Sequence, residues 1–167
     1  MNFPSFKLIA VVLAIIVVAV DQYTKNTILD MFHAEGMSQA VTSFFNLVLV
    51  YNHGISFGLF NRAPVDTQPL IFLGIAATIT IVLVVWLLRT RSRLIVTALG
   101  LIIGGAIGNG IDRAVHGAVI DFIDVYVTWG GVPYHWPSFN VADSAIVCGV
   151  GLLFIDSLAF DKKNPQE

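Results

Sequence analysis

Long uncharged apolar runs dominate the chain and predict four membrane-spanning helices. A hydrocarbon core of about 30 Å requires about 20 helical residues. Runs of about this length place the spans at about residues 4–23, 67–88, 94–111 and 140–160. No small-x-small cleavage site precedes the end of the first run, so we expect this span to be retained rather than removed as a signal peptide.

The positions of Lys and Arg predict the orientation of these spans. Arg89, Arg91 and Arg93 fill the link between the second and third spans. Lys7 lies near the start of the first span, ahead of its uncharged stretch, and residues 162–163 are lysines that follow the fourth. Four crossings place all of these residues, with both termini, on one side of the membrane, and the positive-inside rule predicts that this side is cytoplasmic.

Two longer segments, residues 24–66 and 112–139, are then expected on the outer side. The first contains β-prone residues between Val41 and Phe60, punctuated by Asn and Gly, which predict a small sheet at the membrane interface. The second is expected to be a loop whose aromatic residues suit the headgroup level: Trp129, Tyr134, Trp136 and Phe139. The predicted fold is therefore an integral membrane, mainly α-helical domain over residues 1–167, a four-helix bundle with a small interfacial β element in the first outer segment.

Composition excludes several classes of protein. Charged residues make up 12% of the chain, against roughly 25% in soluble domains. The net charge of −2 lacks the basic surface that nucleic-acid binding needs. Cys148 has no partner for a disulfide within the chain, and we expect it to be a buried packing residue. The four histidines lack the spacing of a zinc site, so neither a metal nor another cofactor is expected.

The candidate chemistry lies in carboxylates on the predicted outer side. The middles of the spans carry no charge, which disfavours a proton-coupled transporter. Asp143, in the first turn of the fourth span, could simply form a capping box with Asn140, or could be the ionised member of an acid pair. Asp121 is enclosed by apolar neighbours that should raise its pKa, so the two acids could share one proton and activate water. Position alone leaves open whether Asp121 or Asp124 is functional, or whether either is a solvated loop acid.

Other polar and small residues have simpler interpretations. Asp21 and Lys25 are spaced as a helix-surface ion pair. For Asp112 and Arg113, anchoring the third span at the interface is favoured over direct chemistry. Closely spaced glycines in the third span predict a helix-packing surface rather than a phosphate loop: Gly100, Gly104, Gly105, Gly108 and Gly110.

Five short motifs, in order, give the chain a family resemblance. They are DQYTK at the end of the first span, YNHGISFGLF in the first outer segment, GGAIGNGIDR at the end of the third span, VIDFI, and FNVADS at the start of the fourth. Together they resemble lipoprotein signal peptidase, or signal peptidase II, along nearly the whole chain. The resemblance implies that Asp121 and Asp143 are the catalytic aspartates, which decides against Asp124. It also implies that further residues orient substrate or support the pair: Asp21, Lys25, Asn52, Gly54, Asn109, Asp112, Arg113, Asn140 and Ala142.

The implied reaction is hydrolysis of the peptide bond before a diacylglyceryl-modified cysteine in bacterial prolipoproteins. The enzyme would be a monomer in the inner membrane with its site facing outward, and its partners would be lipidated prolipoproteins and membrane lipid. Two features depart from the family pattern: His53, where a small polar residue is expected, and the length of residues 125–138. The competing hypotheses are a non-enzymatic carrier or lipid-binding subunit, and a lipid-headgroup transferase that uses several acids and a divalent cation.

Overall fold

The computed structural model describes residues 5–54 and 68–163. The end of the first predicted outer segment and the first residue of the second predicted span lie outside the described residues. Within the described part, four helices are long and apolar enough to cross a membrane. They are α1 (Leu8–Met31, after a short 3-10 turn at Ser5–Lys7), α2 (Gln68–Arg89), α3 (Arg93–His116) and α4 (Val141–Lys163), which confirms the predicted bundle.

Two helices continue beyond the ends predicted from hydropathy. The first was expected to end at about residue 23 but extends to Met31, and the third was expected to end at 111 but extends to His116. In the extension of α1, the side chains of Thr24 and Thr27 donate hydrogen bonds to carbonyls of the preceding turn. Gly117, with φ +71°, ends α3 in the left-handed conformation typical of a helix C-cap. Hydropathy reports the length of the apolar crossing, and the backbone hydrogen bonds of a helix can continue past it.

Helix α3 lies at the centre of the bundle. It contacts α1, α2 and α4, and 56% of its apolar window is buried, against 6–22% in the other three spans. A Cβ atom at Gly100 would lie 2.7 Å from the Cα atom of Ala10 on α1. A Cβ atom at Gly104 would lie 2.9 Å from the Cα atom of Ala14. The predicted packing role of these glycines is therefore confirmed, because only a residue without a side chain permits this approach.

Helix α4 presents part of its surface away from the bundle. Cys148 lies on that surface and is exposed, beside the exposed Val147 and Val150. The prediction that Cys148 is a buried packing residue is wrong. An apolar run in a membrane helix does not distinguish residues that face other helices from residues that face lipid.

An antiparallel sheet covers one end of the bundle, which we call the sheet end. Its strands, in spatial order, are β1 (Ser38–Ala40), β2 (Phe45–Asn52), β3 (Val119–Trp129) and β4 (Val132–His135). Strand β2 confirms the β element predicted between Val41 and Phe60, and β1 lies just before that range. Strands β3 and β4 correct the expectation of a loop in the second outer segment, because β3 gains its structure by pairing with the distant β2.

The register of β2 against β3 positions the polar side chains. Val50 pairs with Asp121 and Asn46 with Asp124, with an irregularity in register between Leu47 and Val50. The sheet packs on α1 through an apolar cluster: Ile28, Phe32, Leu49, Ile120 and Phe122. This packing holds the start of β3 beside the ends of α1, α3 and α4.

Candidate active site

The structure brings Asp121 and Asp143 to a common neighbour, Asn140. The side-chain Nδ2 of Asn140 donates to Oδ1 of Asp121 at 2.7 Å. The backbone N–H of Asn140 donates to Oδ2 of Asp143 at 3.2 Å. Asp121 is buried on β3, and Asp143 is half-buried in the first turn of α4. The two acids therefore lie close together at the sheet end of the bundle.

Asn140 and Asp143 also form the predicted capping box. Oδ1 of Asn140 accepts from the backbone N–H of Asp143 at 2.9 Å, and Asp143 accepts from the backbone N–H of Asn140. Each side chain thus satisfies a backbone donor at the start of α4. The cap holds the Asp143 carboxylate in the first turn of α4.

Two amide groups point their donors at Asp121. Asn52 donates from Nδ2 to Oδ2 of Asp121 at 2.9 Å, and its own Oδ1 accepts from the backbone N–H of Gly54. The oxygen of Asn140 is likewise occupied by a backbone N–H, so its NH₂ group faces Asp121. Because backbone donors fix both amide oxygens, neither amide can flip without losing a hydrogen bond.

A third amide points at Asp143 and is oriented by a lysine. Asn109 donates from Nδ2 to Oδ1 of Asp143 at 2.8 Å. Its Oδ1 accepts from the Lys25 ammonium at 2.9 Å. An ammonium group can only donate, so Lys25 requires the oxygen of Asn109 to face it and leaves the NH₂ group for Asp143. Lys25 therefore positions a donor on Asp143 without touching that carboxylate.

Lys25 is the centre of a buried charge cluster. Its Nζ lies 2.8 Å from Oδ2 of Asp21 and 2.7 Å from Oδ2 of Asp112, and all three side chains are at most 2% exposed. Asp21 accepts from the backbone N–H of Ala142, and Asp112 accepts from that of Ile120. The cluster thus joins α1, α3, α4 and β3.

These contacts correct two of the simpler interpretations. The predicted ion pair of Asp21 and Lys25 is present, but it is buried, because α3, α4 and β3 cover this face of α1. The interpretation of Asp112 as an interfacial anchor is wrong, since its carboxylate pairs with Lys25 inside the protein. Neither burial could be predicted from spacing along a single helix.

Gln22 joins the same cluster, although it is not among the predicted site residues. Its Nε2 donates to Oδ1 of Asp112 at 2.9 Å and to the carbonyl oxygen of Gly108 at 3.2 Å. Its position beside Asp21 in the DQYTK motif was the available signal. Gly108 is required here by space, because a Cβ atom at this position would lie 2.6 Å from Oδ2 of Asp21.

Arg113 and Gly54 lie at the edge of the site, and both are close to Phe72. The guanidinium carbon of Arg113 is 5.8 Å from the centre of the Phe72 ring, and Nη1 donates to the carbonyl oxygen of Asn109. Gly54 has φ +77°, and a Cβ atom there would lie 3.0 Å from the Phe72 ring. A larger residue at position 54 would meet both backbone strain and the ring.

Asp124 lies in a separate cluster. It accepts from Nδ2 of Asn46 at 2.8 Å and lies 2.8 Å from Nδ1 of His135. In the part of the chain that the structure describes, its side-chain contacts are with Asn46 and His135, and not with Asp143 or Lys25. Asp121 and Asp124, which lie three residues apart in the sequence VIDFID, therefore have different surroundings in the structure.

The environment of Asp121 favours its neutral form. Burial raises the pKa of Asp121 to about 6, and the nearby Asp143 carboxylate raises it as well. Hydrogen bonds from Asn52 and Asn140 and the charge of Lys25 act in the opposite direction. Asp121 is thus suited to hold a proton at a pH at which an ordinary carboxyl group is ionised.

A cavity of about 400 Å³ gives access to Asp121. It is lined by Tyr51, Asn52, His53, Pro137 and Ser138, so His53 faces the approach to the acid. A neighbouring cavity of about 530 Å³ shares Val50, Pro137 and Ser138 and reaches Asp124. Among residues 5–54 and 68–163, no three His, Cys, Asp or Glu side chains are grouped as metal ligands. The arrangement can hold a proton, an ionised acid and oriented amide donors beside an open cavity.

Comparisons with known proteins agree on one family. A family model described as signal peptidase (SPase) II matches residues 13–159. A lipoprotein signal peptidase of Francisella tularensis subsp. novicida (strain U112) is 42% identical over 98% of this chain and 100% of the relative. Another, of Rhodopseudomonas palustris (strain TIE-1), is 45% identical over 90% of this chain and 92% of the relative. A solved bacterial membrane enzyme has a TM-score of 0.76 and 32% identity, covering 95% of this chain and 92% of its own.

Proposed function

Because the chain belongs to the signal peptidase II family, we propose that it cuts prolipoproteins immediately before a diacylglyceryl-modified cysteine, with Asp121 and Asp143 as its catalytic pair. The family consists of aspartic-type membrane peptidases that remove signal peptides from prolipoproteins. Membership decides against the alternatives of a non-enzymatic carrier and a lipid-headgroup transferase. Beyond family membership, we propose which residues are catalytic, which role each has, and on which side of the membrane they act.

In the proposed mechanism, Asp143 begins ionised and Asp121 begins protonated. Water attacks the scissile carbonyl carbon while Asp143 takes a proton from the water and Asp121 gives its proton to the carbonyl oxygen. The C–N bond of the tetrahedral intermediate then breaks as Asp143 protonates the leaving amine. Asp121 recovers a proton from the hydroxyl group that becomes the new carboxyl, and both acids return to their starting states.

The surroundings of the acids support this division of roles. Asp143 accepts from Asn109 and from the backbone N–H of Asn140 at a helix N-terminus, and these donors stabilise a carboxylate. The raised pKa of Asp121 suits the acid that begins protonated. The observation that carries the proposal is the hydrogen bonding of one residue, Asn140, to both carboxylates.

The proposed orientation places this pair at the outer face of a bacterial inner membrane. The basic residues of the α2–α3 link lie at the opposite end of the bundle from the sheet, which under the positive-inside rule puts the sheet end outside and both termini in the cytoplasm. A lipidated prolipoprotein presents its scissile bond at the same interface. We further propose that residues 1–167 act as a single membrane domain, as a monomer and without a cofactor.

Substitution of each acid tests the proposal. Asp121→Asn and Asp143→Asn should each reduce the rate of cleavage of a lipidated prolipoprotein by at least about a hundredfold, because each removes a proton-transfer group. The rate is measured from the size shift of substrate on gels, with detergent-purified enzyme.

Two further variants complete the experiment. Asp30→Asn makes the same chemical change at an exposed position of α1 and should leave the rate unchanged. Asp124→Asn tests the other acid of β3 and should retain cleavage. Normal cleavage by Asp121→Asn or by Asp143→Asn would rule out these two residues as the catalytic pair. The same conclusion would follow if Asp124→Asn kept the wild-type helical content but lost as much cleavage as Asp121→Asn.

A further inference from the structure

The sheet carries a second polar cluster, which the proposed mechanism does not use. Nδ1 of His135 lies 2.8 Å from Oδ1 of Asp124, and Nδ2 of Asn46 donates to Oδ2 of the same acid, also at 2.8 Å. Asp124 is buried, whereas the side chain of His135 is 47% exposed. The ring of Tyr126 stacks on that of His135, with 4.9 Å between the ring centres. A buried acid and an aromatic ring thus fix the orientation of an accessible imidazole.

This orientation leaves one ring nitrogen of His135 available. An ionised carboxylate can only accept hydrogen bonds, so Asp124 requires the hydrogen of the imidazole to lie on Nδ1. Nε2 has no hydrogen-bond partner among the described residues. In a neutral ring with this tautomer, Nε2 is an acceptor. His135 is therefore suited to accept an N–H from a molecule that lies against the sheet.

The cluster adjoins the approach to the catalytic pair. His135 and Asp124 line the cavity of about 530 Å³, and Asp121 lines the cavity of about 400 Å³. Three residues line both cavities: Val50, Pro137 and Ser138. We call the two cavities together the sheet groove. Strand β2 lines it from Asn46 to Asn52, a distance of about 20 Å, which matches about six residues of an extended peptide.

The lining of the sheet groove differs from that of a cavity between the spans. A cavity of about 610 Å³ between α1, α2 and α3 is lined by alanine, valine, leucine and isoleucine. The sheet groove is formed by the strands and their connections, and polar side chains line the part that is farther from Asp121: Ser38, Asn46, Asp124, His135 and Ser138. We therefore expect its occupant to be a polar, extended segment that has left the membrane.

We propose that the sheet groove binds the mature part of the prolipoprotein, and that Nε2 of His135 accepts a backbone N–H from it. This inference rests on the proposed function, because it starts from a scissile bond at Asp121. The signal peptide and the acyl chains are apolar and remain in the bilayer, so the mature chain is the part of the substrate that leaves the membrane. In this arrangement His135 contacts the substrate, and Asp124 is a positioning residue.

The register of the sheet gives the position of the contact on the substrate. Asp121 pairs with Val50 and Asp124 with Asn46, so the two acids are separated by about 13 Å along β2. An extended substrate therefore needs about four residues to reach from the scissile bond to His135. With the lipidated cysteine counted as the first residue, the donor is the N–H of the fourth or fifth. Every residue except proline has this N–H, so the contact is compatible with many different mature sequences.

Substrate length tests the proposal with the full-length enzyme in detergent. Diacylglyceryl peptides with one signal sequence are prepared with two or with six mature residues. We expect the kcat/KM of the wild type to be about fivefold higher for the longer peptide, through a lower KM. His135→Ala should abolish this difference by raising the KM for the longer peptide, with little change in kcat. The matched control is His116→Ala, an exposed histidine that lines neither cavity, and it should keep the difference.

Two variants of Asp124 test whether this acid acts through the ring. Asp124→Leu removes the acceptor for Nδ1 and should behave like His135→Ala. Asp124→Asn keeps an oxygen that can accept from Nδ1, so it should keep most of the dependence on length. A purely structural role of Asp124 would instead lower the cleavage of both peptides.

A scan with backbone N-methyl groups uses the wild type and does not depend on the folding of any variant. Each mature residue of the longer peptide in turn carries a methyl group on its backbone nitrogen, which removes the donor. We expect a loss of about fivefold in kcat/KM, confined to the fourth or fifth residue. The same methyl group should have no further effect in His135→Ala, because the two changes remove one interaction.

The other outcomes overturn the proposal. Equal kcat/KM for both lengths in the wild type, or a flat scan, would show that the mature chain does not occupy the groove. Sensitivity only to residues before the cysteine would assign the groove to the signal peptide. An equal loss with both peptides in His135→Ala would indicate an indirect effect on the catalytic pair. Failure of the wild type to cleave either peptide would instead contradict the proposed function.

Discussion

At the residue scale, three asparagines decide which donors reach the two acids. Asn52 and Asn140 direct their NH₂ groups to Asp121, and Asn109 directs its NH₂ group to Asp143. In each case another donor occupies the amide oxygen. The sequence motifs could name these asparagines, but only the spatial arrangement reveals that their orientations are fixed, because those donors come from other elements or from the backbone of a turn.

The protonation of Asp121 should be measurable as a change in stability with pH. Its folded-state pKa of about 6 lies above the value of about 4 for an exposed carboxyl group, so the folded chain binds this proton more tightly than the unfolded chain. The stabilisation is complete below about pH 4 and is lost as the pH rises through about 6. We expect the wild-type unfolding temperature in detergent to fall across this window.

Asp121→Asn should remove that part of the pH dependence, whereas Asp30→Asn at an exposed site should retain it. The kcat/KM of the wild type should also decrease on the alkaline side with an apparent pKa of about 6, as Asp121 loses the proton that it gives to the carbonyl. A stability profile that is identical in the wild type and Asp121→Asn would contradict the raised pKa.

Lys25→Met should be strongly destabilising. It leaves Asp21 and Asp112 buried without their cation, and breaking a buried ion pair in this way typically costs about 3–5 kcal/mol. Arg91→Met, at an exposed position of the α2–α3 link, is the control and should change little. Adding Asp21→Asn to Lys25→Met should restore part of the lost stability, measured by thermal unfolding in detergent. A Lys25→Met protein that unfolds at the wild-type temperature would show that the cluster contributes nothing to stability.

At the scale of elements, the crossing of α3 with α4 is closer than hydropathy could indicate. A Cβ atom at Gly105 would overlap the carbonyl oxygen of Ala142, the residue before Asp143. A Cβ atom at Gly110 would lie 3.9 Å from the side chain of Leu73. The glycine spacing predicted one packing surface, but the structure separates close crossings from an ordinary contact.

These two glycines form a matched pair of variants. Gly105→Ala should destabilise the protein by about 1–3 kcal/mol, because the backbone of α4 must move. That movement should also reduce cleavage, since it displaces the start of α4. Gly110→Ala should stay within about 0.5 kcal/mol of the wild type. Equal unfolding temperatures for the two variants would show that the α3–α4 crossing tolerates a side chain.

The strands show a different limit of sequence reasoning. Residues 119–129 form β3, whereas the sequence predicted a loop there, because aromatic residues near the end of the segment are typical of an interfacial loop. Pairing with β2, more than sixty positions away, satisfies the backbone of this segment. That pairing gives Asp121 and Asp124 different surroundings, which resolves an ambiguity that their positions alone left open.

At the scale of the whole molecule, the proposed orientation can be tested with single cysteines. In a C148A background, the S38C variant should react with a membrane-impermeant maleimide in intact spheroplasts, because Ser38 is exposed on the sheet. The R91C variant, at the opposite end of the bundle, should react only after lysis. The reverse pattern would place the sheet in the cytoplasm and contradict the orientation inferred from Lys and Arg.

The sequence by itself determined the number of spans, the resemblance to signal peptidase II and the residues that carry it. Membrane thickness acts on local composition, so apolar runs along the chain are sufficient to identify a bundle. The tertiary structure decided that Lys25 is buried between Asp21 and Asp112, and that Asn140 joins Asp121 to Asp143. Burial and pairing arise between segments far apart in the chain, and their free energies depend on packing that no local pattern contains.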